Sequence, residues 1–286
     1  MHRHHSLIII GAGLSGLYAA MRARQQGRDV MVLEARDRLG GRIDSSRLDD
    51  TPESHIDLGP AWVWPQLQPL MNRLISELNL KLFRQFTTGS QLYQTQSGQV
   101  ERYDRPSSHQ HSYRISGGCH ALIEALQAQL LNSNIQLNTV VEAIDQQSLS
   151  IRTIHHGNAA SYTADKLIMT IPPRLMIQSI AFDPPLEDSH RQLLNTMPTW
   201  MAGHCKLVFI YQQPFWREQG LSGEVYSHCG PLTEIYDAST ERGNLFALTS
   251  FVGLSAQQRQ HMGAENIKQR CLDQLQLLFG VEALKV

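Results

Sequence analysis

A glycine-spaced turn near the N-terminus restricts the fold of this chain more than any other feature. Residues 6–10 form a β-branched apolar run, which predicts a buried strand. Gly11, Gly13 and Gly16 follow that run directly at the spacing GxGxxG. A helix-compatible stretch and a second apolar run ending at Leu33 complete strand, helix and strand within about 30 residues. The first glycine of such a turn permits a tight bend, the second lets the backbone approach a pyrophosphate, and the third lets helix and strand pack closely. The pattern predicts a dinucleotide-binding βαβ unit.

Residues around this turn add to the prediction. Leu14 and Ser15 lie in the glycine turn just before the predicted helix, whose N-terminus attracts phosphates. Glu34 ends the second strand about 20 residues after the turn, where a carboxylate can accept hydrogen bonds from the ribose hydroxyls of adenosine. An acid at this position also disfavours the additional phosphate of NADP. The spacing alone is a weak signal, because glycine turns also occur for steric reasons and Glu34 could be a solvated strand end.

The segment after the second strand points to one family. Residues 33–42 read LEARDRLGGR and resemble the corresponding segment of flavin amine oxidases, which include monoamine oxidases, polyamine oxidases, L-amino-acid oxidases and lysine-specific histone demethylases. The cofactor contacts that the resemblance implies here are those of Ala35, Arg36, Gly40, Gly41 and Arg42. The arginines can supply charge to a pyrophosphate, and the glycines allow the chain to pass beneath the cofactor. The implied cofactor is FAD, because the alternative, an NAD-linked dehydrogenase, would not need this segment.

Later segments extend the resemblance over nearly the whole chain. DLGPA at 57–61 is similar to the segment that passes the flavin in this family, and Trp62 follows where an aromatic ring could flank the flavin. Core packing is the other interpretation for either Trp62 or Trp64. The contacts implied for this segment are those of Gly59, Pro60, Ala61 and Trp62.

Three further segments complete this comparison. SGGCHAL at 116–122 resembles the glycine pair that opens a helix in the family. Residues 140–144 resemble the strand whose backbone contacts adenine, which makes Val141 the candidate for that contact. ADKLIMTIPPR at 164–174 resembles the strand that returns to the substrate domain.

A lysine is the candidate catalytic residue. Residues 199–216 read TWMAGHCKLVFIYQQPFW and resemble the family stretch in which a lysine lies near flavin N5, which by position is Lys206. The family lysine holds a water at N5, and partial desolvation would lower its pKa and let it manage proton or oxygen chemistry. A strand lysine that points to solvent is the alternative. The implied reaction transfers hydride from the carbon beside a neutral amine to N5, after which the imine hydrolyses and molecular oxygen reoxidises the flavin. The implied substrate is a small amine or amino acid.

The resemblance implies an α/β fold in which a Rossmann-like FAD-binding domain is joined to an α+β substrate domain. We expect the FAD-binding domain at 1–65 and 115–185 and the substrate domain at 66–114 and 186–286. Periodicity predicts helices at 17–26, 67–78, 120–131 and 267–279, strands at 137–144, 148–154, 166–170, 205–211 and 245–251, and a turn at 157–160.

Composition excludes several other classes of protein. The chain has 25 basic and 26 acidic residues, so it has no general field to attract nucleic acid or anionic lipid. Outside the N-terminal run, no segment approaches the roughly 20 apolar residues of a membrane span. That run imitates a secretory signal, but its nucleotide-binding glycines favour a cytoplasmic protein. The four cysteines lack a CxxC pair, which favours free thiols in a reducing compartment.

Other catalytic constellations have no support in the sequence. Histidines cluster at 2–5, 109–111 and 155–156, but without the spacing or cysteine partners of a metal site, so we expect no metal. The GxSxG segment of many hydrolases is not present.

The end of the chain leaves a second function open. Family members usually continue beyond the segment similar to 272–280 with another strand and helix, aromatic residues around the substrate cavity, and an AGxE-like segment. The chain reaches Val286 without them, which predicts a truncated chain or a shortened homologue. The alternative function is therefore a noncatalytic or incomplete FAD-binding protein that needs a partner or the missing segment.

Overall fold

A computed structural model describes residues 2–47, 55–130, 135–243 and 245–286. The chain divides into two compact units. Unit 1 comprises Met1–Asp44 and Leu122–Trp200, and unit 2 comprises Ser45–Ala121 and Met201–Val286. The functional division predicted from the sequence, which assigns residues 45–65 to the cofactor domain, stays a prediction.

Unit 1 contains seven strands and three complete helices among the described residues. The strands are β1 (His2–Ile10), β2 (Val30–Leu33), β9 (Ile135–Gln136), β10 (Thr139–Asp145), β11 (Ser150–His155), β12 (Asn158–Met169) and β13 (Ala181–Asp183). The helices are α1 (Leu14–Gln25), α4 (Pro173–Ser179) and α5 (Asp188–Thr196). Helix α3 (His120–Ala128) begins in unit 2 and continues in unit 1.

Unit 2 is richer in strands. These are β3 (Ser45–Arg47), β4 (His55–Asp57), β5 (Leu82–Arg84), β6 (Ser90–Gln94), β7 (Val100–Tyr103), β8 (Tyr113–Ile115), β14 (Cys205–Tyr211), β15 (Leu221–Ser227), β16 (Leu232–Asp237) and β17 (Phe246–Val252). The helices are α2 (Pro69–Glu77), α6 (Phe215–Glu218), α7 (Ala256–Met262), α8 (Ala264–Phe279) and a 3₁₀ turn at Val281–Leu284.

The main sheet of unit 1 has the strand order β13-β10-β11-β12-β1-β2-β9. Strands β12, β1, β2 and β9 run parallel, whereas β10, β11 and β12 form an antiparallel meander. Ile8 and Ile9 in β1 and Val30 and Val32 in β2 are fully buried. Continuous apolar runs of this kind are expected in a parallel sheet that is covered on both faces. The predicted Rossmann-like α/β fold is confirmed.

One predicted turn is wrong in its bounds. The turn between β11 and β12 occupies His156 and Gly157, both with positive φ, whereas Asn158 to Ala160 already belong to β12 and pair with β11. Two central residues with positive φ suit the twist of a two-residue hairpin, so the strands continue closer to the turn than their polar sequence indicates. The helix predicted at 120–131 ends at Ala128 in the structure, and its predicted last residue, Leu131, lies outside the described residues.

The main sheet of unit 2 has the order β14-β17-β16-β15-β6-β7 and is packed on one face by α8. Ile267, Cys271, Leu275 and Leu278 lie along one side of that helix and join this face in a hydrophobic core. The alternate residues of β14 to β17 therefore point to the opposite face, because successive strand residues alternate. Among the described residues, no helix is long and apolar enough to cross a lipid bilayer.

Candidate functional site

The glycines in the turn of unit 1 are needed for two different reasons, packing within the fold and approach of a ligand. Gly11 has φ +103°, and a Cβ there would lie 2.8 Å from Thr170 Oγ1. A Cβ on Gly16 would lie 1.9 Å from the carbonyl oxygen of Gly11. The fold itself therefore requires both glycines. A Cβ on Gly13 would meet its nearest neighbour, Gly41, only at 3.8 Å, so close approach of a ligand is the remaining reason for a glycine there.

The start of α1 offers hydrogen-bond donors beside Gly13. Leu14, Ser15 and Gly16 form the first turn, whose N–H groups have no carbonyl partner within the helix. The first intrahelical bond runs from the N–H of Leu17 to the carbonyl of Gly13, at 3.0 Å. This turn contains no acidic residue, so the helix dipole favours an anion such as a pyrophosphate.

Glu34 is held at the edge of the same turn. Its side chain is only 8% exposed, so it is not a solvated strand end. Oε2 accepts a hydrogen bond from the N–H of Ala12 at 2.7 Å, and Oε1 accepts one from the N–H of Arg36 at 2.9 Å. Each carboxylate oxygen keeps a further lone pair, which fits acceptance from ribose hydroxyls.

The loop after β2 folds back onto the glycine turn. The N–H of Gly40 donates to the carbonyl of Ala12 at 2.9 Å, and a Cβ on Gly41 would lie 3.1 Å from the Cα of Gly13. Gly40 and Gly41 both have positive φ. Close passage of this loop over the turn therefore needs two residues without side chains. Ala35, just after Glu34, is exposed.

Three arginines of this loop have different surroundings. Arg36 and Arg42 are exposed and donate to the carbonyls of Gly41 and Trp200, at 3.2 Å and 3.3 Å. Their guanidinium groups remain available to an anion. Arg38, which sequence analysis did not single out, donates to the carbonyls of Leu39, Gly41 and Ile43 and pairs with Asp44, all at 3.3 Å. Arg38 therefore stabilises the loop. The only sequence signal that its role differs from that of Arg36 is the spacing of two residues between them.

Val141 is buried in β10, next to an irregularity of the strand. It pairs with Thr153 of β11, and the register shifts between Val141 and Ala143. On its other side, β10 pairs with β13 only from Ala143 to Asp145. Among the described residues, Val140 and Val141 have no strand partner on the edge that faces away from β11. A backbone contact with adenine requires such an unpaired edge.

Lys206 is the centre of the polar site in unit 2. Its Nζ donates to the carbonyl oxygens of Asp57 at 2.6 Å and Gly59 at 3.0 Å, and lies 5.8 Å from the centre of the Trp62 ring. Burial lowers the pKa of Lys206 to about 8, although the Asp57 carboxylate opposes this shift. The structure thus brings the predicted lysine together with the DLGPA segment. Pro60 is exposed and Ala61 is buried at the end of that segment.

Asp57 is a second centre that sequence analysis did not single out. Its side chain is 3% exposed, and Oδ1 accepts from the N–H of Cys119 at 2.8 Å and from Ser45 Oγ at 3.1 Å. Oδ2 has no partner among the described residues. Burial raises the pKa of the Cys119 thiol well above its usual range, with a further contribution from Asp57. Asp57 therefore ties the DLGPA segment to the SGGCHAL segment, and the acid of DLGPA was the only sequence signal for it.

Trp62 is half-buried in a cluster of side chains rather than fully packed in the core. Its Nε1 donates to Gln85 Oε1 at 2.9 Å, and its ring centre lies 5.2 Å from that of Tyr236 and 4.7 Å from that of His109. Across the described ranges, no group of three or more His, Cys, Asp or Glu side chains is arranged to hold a metal ion.

Comparison with protein-family models gives two matches. The model described as flavin containing amine oxidoreductase matches residues 93–285, and that described as NAD(P)-binding Rossmann-like domain matches residues 9–78.

Similar curated proteins are named as oxidases or dehydrogenases of amines or amino acids. A probable flavin-containing monoamine oxidase A of Dictyostelium discoideum is 23% identical, over 98% of this chain and 81% of its own length. A putrescine oxidase of Kocuria rosea is 23% identical, over 97% of this chain and 79% of its own. An L-amino acid dehydrogenase of a Synechocystis strain is 30% identical, over 59% of this chain and 35% of its own. The first alignment spans 379 positions, more than the 286 residues of this chain, so that relative has insertions within the matched region.

Solved structures show the same fold. Putrescine oxidase bound to putrescine has a TM-score of 0.83 and 22% identity, over 99% of this chain and 83% of that chain. Cyclohexylamine oxidase from Brevibacterium oxydans has a TM-score of 0.81 and 20% identity, over 98% and 82%. Since the amine oxidoreductase model covers well over half of the sequence, the chain belongs to the flavin-containing amine oxidoreductases, a family of enzymes whose cofactor is FAD.

Proposed function

We propose that this chain oxidises a carbon–nitrogen bond of a small amine by hydride transfer to FAD, and that Lys206 handles a proton beside the reacting atoms. The observation that carries this proposal is the environment of Lys206. A lysine of reduced basicity is held by two carbonyl groups of the segment that, by resemblance, passes the flavin.

The proposed cofactor contacts combine the observations on the glycine turn with the family resemblance. They are Gly11, Gly13, Leu14, Ser15, Gly16, Glu34, Ala35, Arg36, Gly40, Gly41, Arg42, Gly59, Pro60, Ala61, Trp62 and Val141. When bound, FAD supplies the oxidising chemistry, since its N5 accepts hydride from the carbon beside the amine nitrogen. The open space at Gly13, the amides of the first turn of α1 and the lone pairs of Glu34 fit a pyrophosphate joined to a ribose.

The two carbonyl groups that bind Lys206 Nζ determine which position of its amine can exchange a proton. A neutral amine has two N–H groups and one lone pair, and the carbonyls of Asp57 and Gly59 take both N–H groups. The lone pair is then left to accept a proton from a water or from the substrate. With a pKa of about 8, both protonation states are accessible around neutral and mildly alkaline pH. Lys206 can therefore accept and release a proton without leaving its position.

The substrate and the electron acceptor are parts of the same proposal. Relatives named monoamine oxidase and putrescine oxidase support a small amine as the substrate, and the family resemblance supports molecular oxygen as the acceptor. The relative named L-amino acid dehydrogenase is a reason to include amino acids and an artificial acceptor among the test compounds.

The test is the visible spectrum of the purified chain, followed by anaerobic addition of amines and amino acids. We expect flavin absorption that bleaches with an amine and returns when air is admitted. Flavin peaks that persist with every compound would contradict amine oxidation and support the noncatalytic alternative. A chain that holds no flavin after FAD is supplied would contradict the proposed cofactor site.

A further inference from the structure

We propose that Arg114 is a positioning residue for Lys206: its permanent positive charge balances the Asp57 carboxylate and so makes the neutral, proton-accepting form of the lysine accessible. We call Lys206, Asp57 and Arg114 the charge cluster. The inference rests on the proposed function, because it identifies what prepares Lys206 for the proton transfer assigned to it there.

Arg114 is a buried arginine without an acidic partner. It lies in β8 and is 5% exposed. Its Nη1 donates to the carbonyl of Ser239 at 2.7 Å, and its guanidinium carbon lies 5.6 Å from the centre of the Phe83 ring. Among the described residues, its Nε has no hydrogen-bond partner and no carboxylate lies within ion-pair distance of it. Burial of an unpaired guanidinium is costly, which favours a role beyond packing.

Asp57 is a buried carboxylate with the complementary property. Its side chain is 3% exposed, and its Oδ2 has no partner in the described part of the chain. Neither a lysine nor an arginine of the described ranges forms an ion pair with it. Lys206 donates to the main-chain carbonyl of Asp57 and not to its carboxylate. The negative charge of Asp57 therefore acts on both cations of the cluster without being bound directly to either.

Main-chain pairing holds the three residues to one segment. The segment that begins at Asp57 reaches Val63, whose N–H donates to the carbonyl of Tyr113 at 2.7 Å and whose carbonyl accepts the N–H of Tyr113 at 2.8 Å. Tyr113 directly precedes Arg114 in β8. Because Lys206 donates to the start of the same segment, Arg114 and Asp57 both lie within electrostatic range of the lysine.

Charge balance decides which member of the cluster gives up a proton. An arginine does not lose its proton in a protein, and Asp57 supplies one negative charge. With Lys206 protonated, the cluster holds two positive charges and one negative; with Lys206 neutral, it has no net charge. Burial disfavours net charge, so Lys206 is the member that releases a proton. The pKa of about 8 agrees, since burial and Arg114 lower it and Asp57 opposes them.

The other groups around Lys206 do not supply a competing charge. Burial raises the pKa of the Cys119 thiol well above its usual range, so this thiol stays uncharged. Lys206 lies opposite the uncharged Phe251 of β17. The remaining titratable side chains on or against this sheet face are exposed, uncharged at neutral pH, or two or more strands from Lys206; they are His109, His204, Glu224, Tyr226, Glu234 and Tyr236.

The test is an NMR titration of the apoprotein with lysine isotope-labelled at Cε, in which the Lys206 signal is the one that Lys206→Met lacks. Arg114→Gln removes the positive charge and keeps a hydrogen-bonding side chain. We expect the midpoint of the Lys206 titration to rise by about one pH unit or more. Arg84→Gln, which changes an exposed arginine of the neighbouring strand β5, is the matched control and should titrate like the parent protein.

A pH profile of flavin reduction separates this role from a structural one. In FAD-loaded Arg114→Gln, a midpoint one pH unit higher leaves about tenfold less neutral Lys206 at neutral pH. Anaerobic flavin reduction by an amine should therefore be about tenfold slower there and recover as the pH rises. A rate that is lower by the same factor at every pH would indicate a structural defect and overturn the inference.

Arg114→Lys keeps the inference testable if Arg114→Gln does not fold. A lysine can release a proton where an arginine cannot, so the introduced lysine shares the loss of the proton with Lys206. The midpoint of Lys206 should again rise, by a smaller amount than in Arg114→Gln. A Lys206 midpoint like that of the parent protein, in whichever variant folds, would overturn the inference.

The outcomes also separate this inference from the proposed function. Flavin reduction by an amine, with the same Lys206 midpoint in the parent protein and in Arg114→Gln, would overturn the charge cluster and leave amine oxidation standing. A midpoint that rises in Arg114→Gln, in a protein whose flavin no amine reduces, would support the charge cluster and overturn amine oxidation.

Discussion

The ammonium nitrogen of Lys206 lies 2.6 Å from the main-chain carbonyl oxygen of Asp57, whose own carboxylate accepts the N–H of Cys119. One residue thus positions the lysine through its backbone and anchors the start of α3 through its side chain. Because the Asp57 carboxylate also opposes the effect of burial on the Lys206 pKa, Asp57 links the geometry of the lysine to its protonation.

Replacing Lys206 with methionine should slow flavin reduction, reoxidation or both, because methionine is an unbranched side chain one atom shorter than lysine and lacks the amine that exchanges a proton. We expect a loss of about 100-fold or more in at least one step, as for a general acid or base. Stopped-flow absorbance measures the two steps separately. Unchanged rates of both steps would remove Lys206 from the catalytic residues.

The charge of Asp57 should control the pKa that Lys206 shows in the reaction. Asp57→Asn removes a negative charge that favours the ammonium form, so the pKa of Lys206 should fall further below its usual value. The pH profile of flavin reduction should then shift to lower pH. Ser45→Ala, which removes one hydrogen bond to the same carboxylate and leaves its charge, is the control and should shift the profile little. A profile that does not move in Asp57→Asn would argue against Lys206 as the titrating group.

Protonation of Lys206 should also appear in the stability of the apoprotein. Its pKa is about 8 in the folded chain against 10.5 for an ordinary lysine, so between these pH values the unfolded chain binds more protons. The free energy of unfolding of the parent protein, minus that of Lys206→Met, should therefore rise as pH increases from about 8 to about 10.5. Urea unfolding across this range measures the difference, in which the titration of other groups cancels. A flat or falling difference would mean that the lysine is not desolvated.

Sequence patterns identified the parts of the site that depend on local structure. The glycine turn and β2 were predicted because a strand, a tight turn and a helix start all have local residue requirements. The bounds of β14 were also predicted as observed, since Cys205–Tyr211 is a continuous run suited to a strand. FAD as the cofactor was implied by the resemblance of residues 33–42 and is confirmed by the family to which the chain belongs.

Other parts could not be predicted because they depend on strand register. β15 was missed, since Leu221–Ser227 contains serine, glycine and glutamate and lacks an apolar alternation. That Glu224 and Lys206 lie on the same face of the sheet follows only from the pairing of β14, β17, β16 and β15. Asp57 was missed for a related reason. Its partners Ser45 and Cys119 are distant in sequence, so its burial depends on the tertiary structure.

Glu34 gives a direct test of the nucleotide site. Glu34→Ala should weaken FAD binding by about 1 to 3 kcal/mol, the range for loss of a hydrogen bond to a charged group. Titration of the apoprotein with FAD, followed by flavin fluorescence, measures the change. Asp37→Ala, an exposed acid in the same loop, is the matched control and should bind FAD like the parent protein. Affinity that stays unchanged in Glu34→Ala would exclude the ribose contact.

Gly13 and Gly16 should respond differently to the same added methyl group. At Gly13 the backbone has φ −76° and a Cβ would have 3.8 Å of clearance, so Gly13→Ala should fold with a melting temperature close to that of the parent protein. Its FAD affinity should still fall, because the methyl group occupies the space into which the pyrophosphate approaches. Gly16→Ala should instead destabilise the apoprotein, since its Cβ would lie 1.9 Å from the Gly11 carbonyl oxygen. Gly203→Ala, where nothing lies within 4 Å, is the control for both measurements. A Gly13→Ala variant that folds and binds FAD as tightly as the parent protein would show that the cofactor does not approach the turn at this residue.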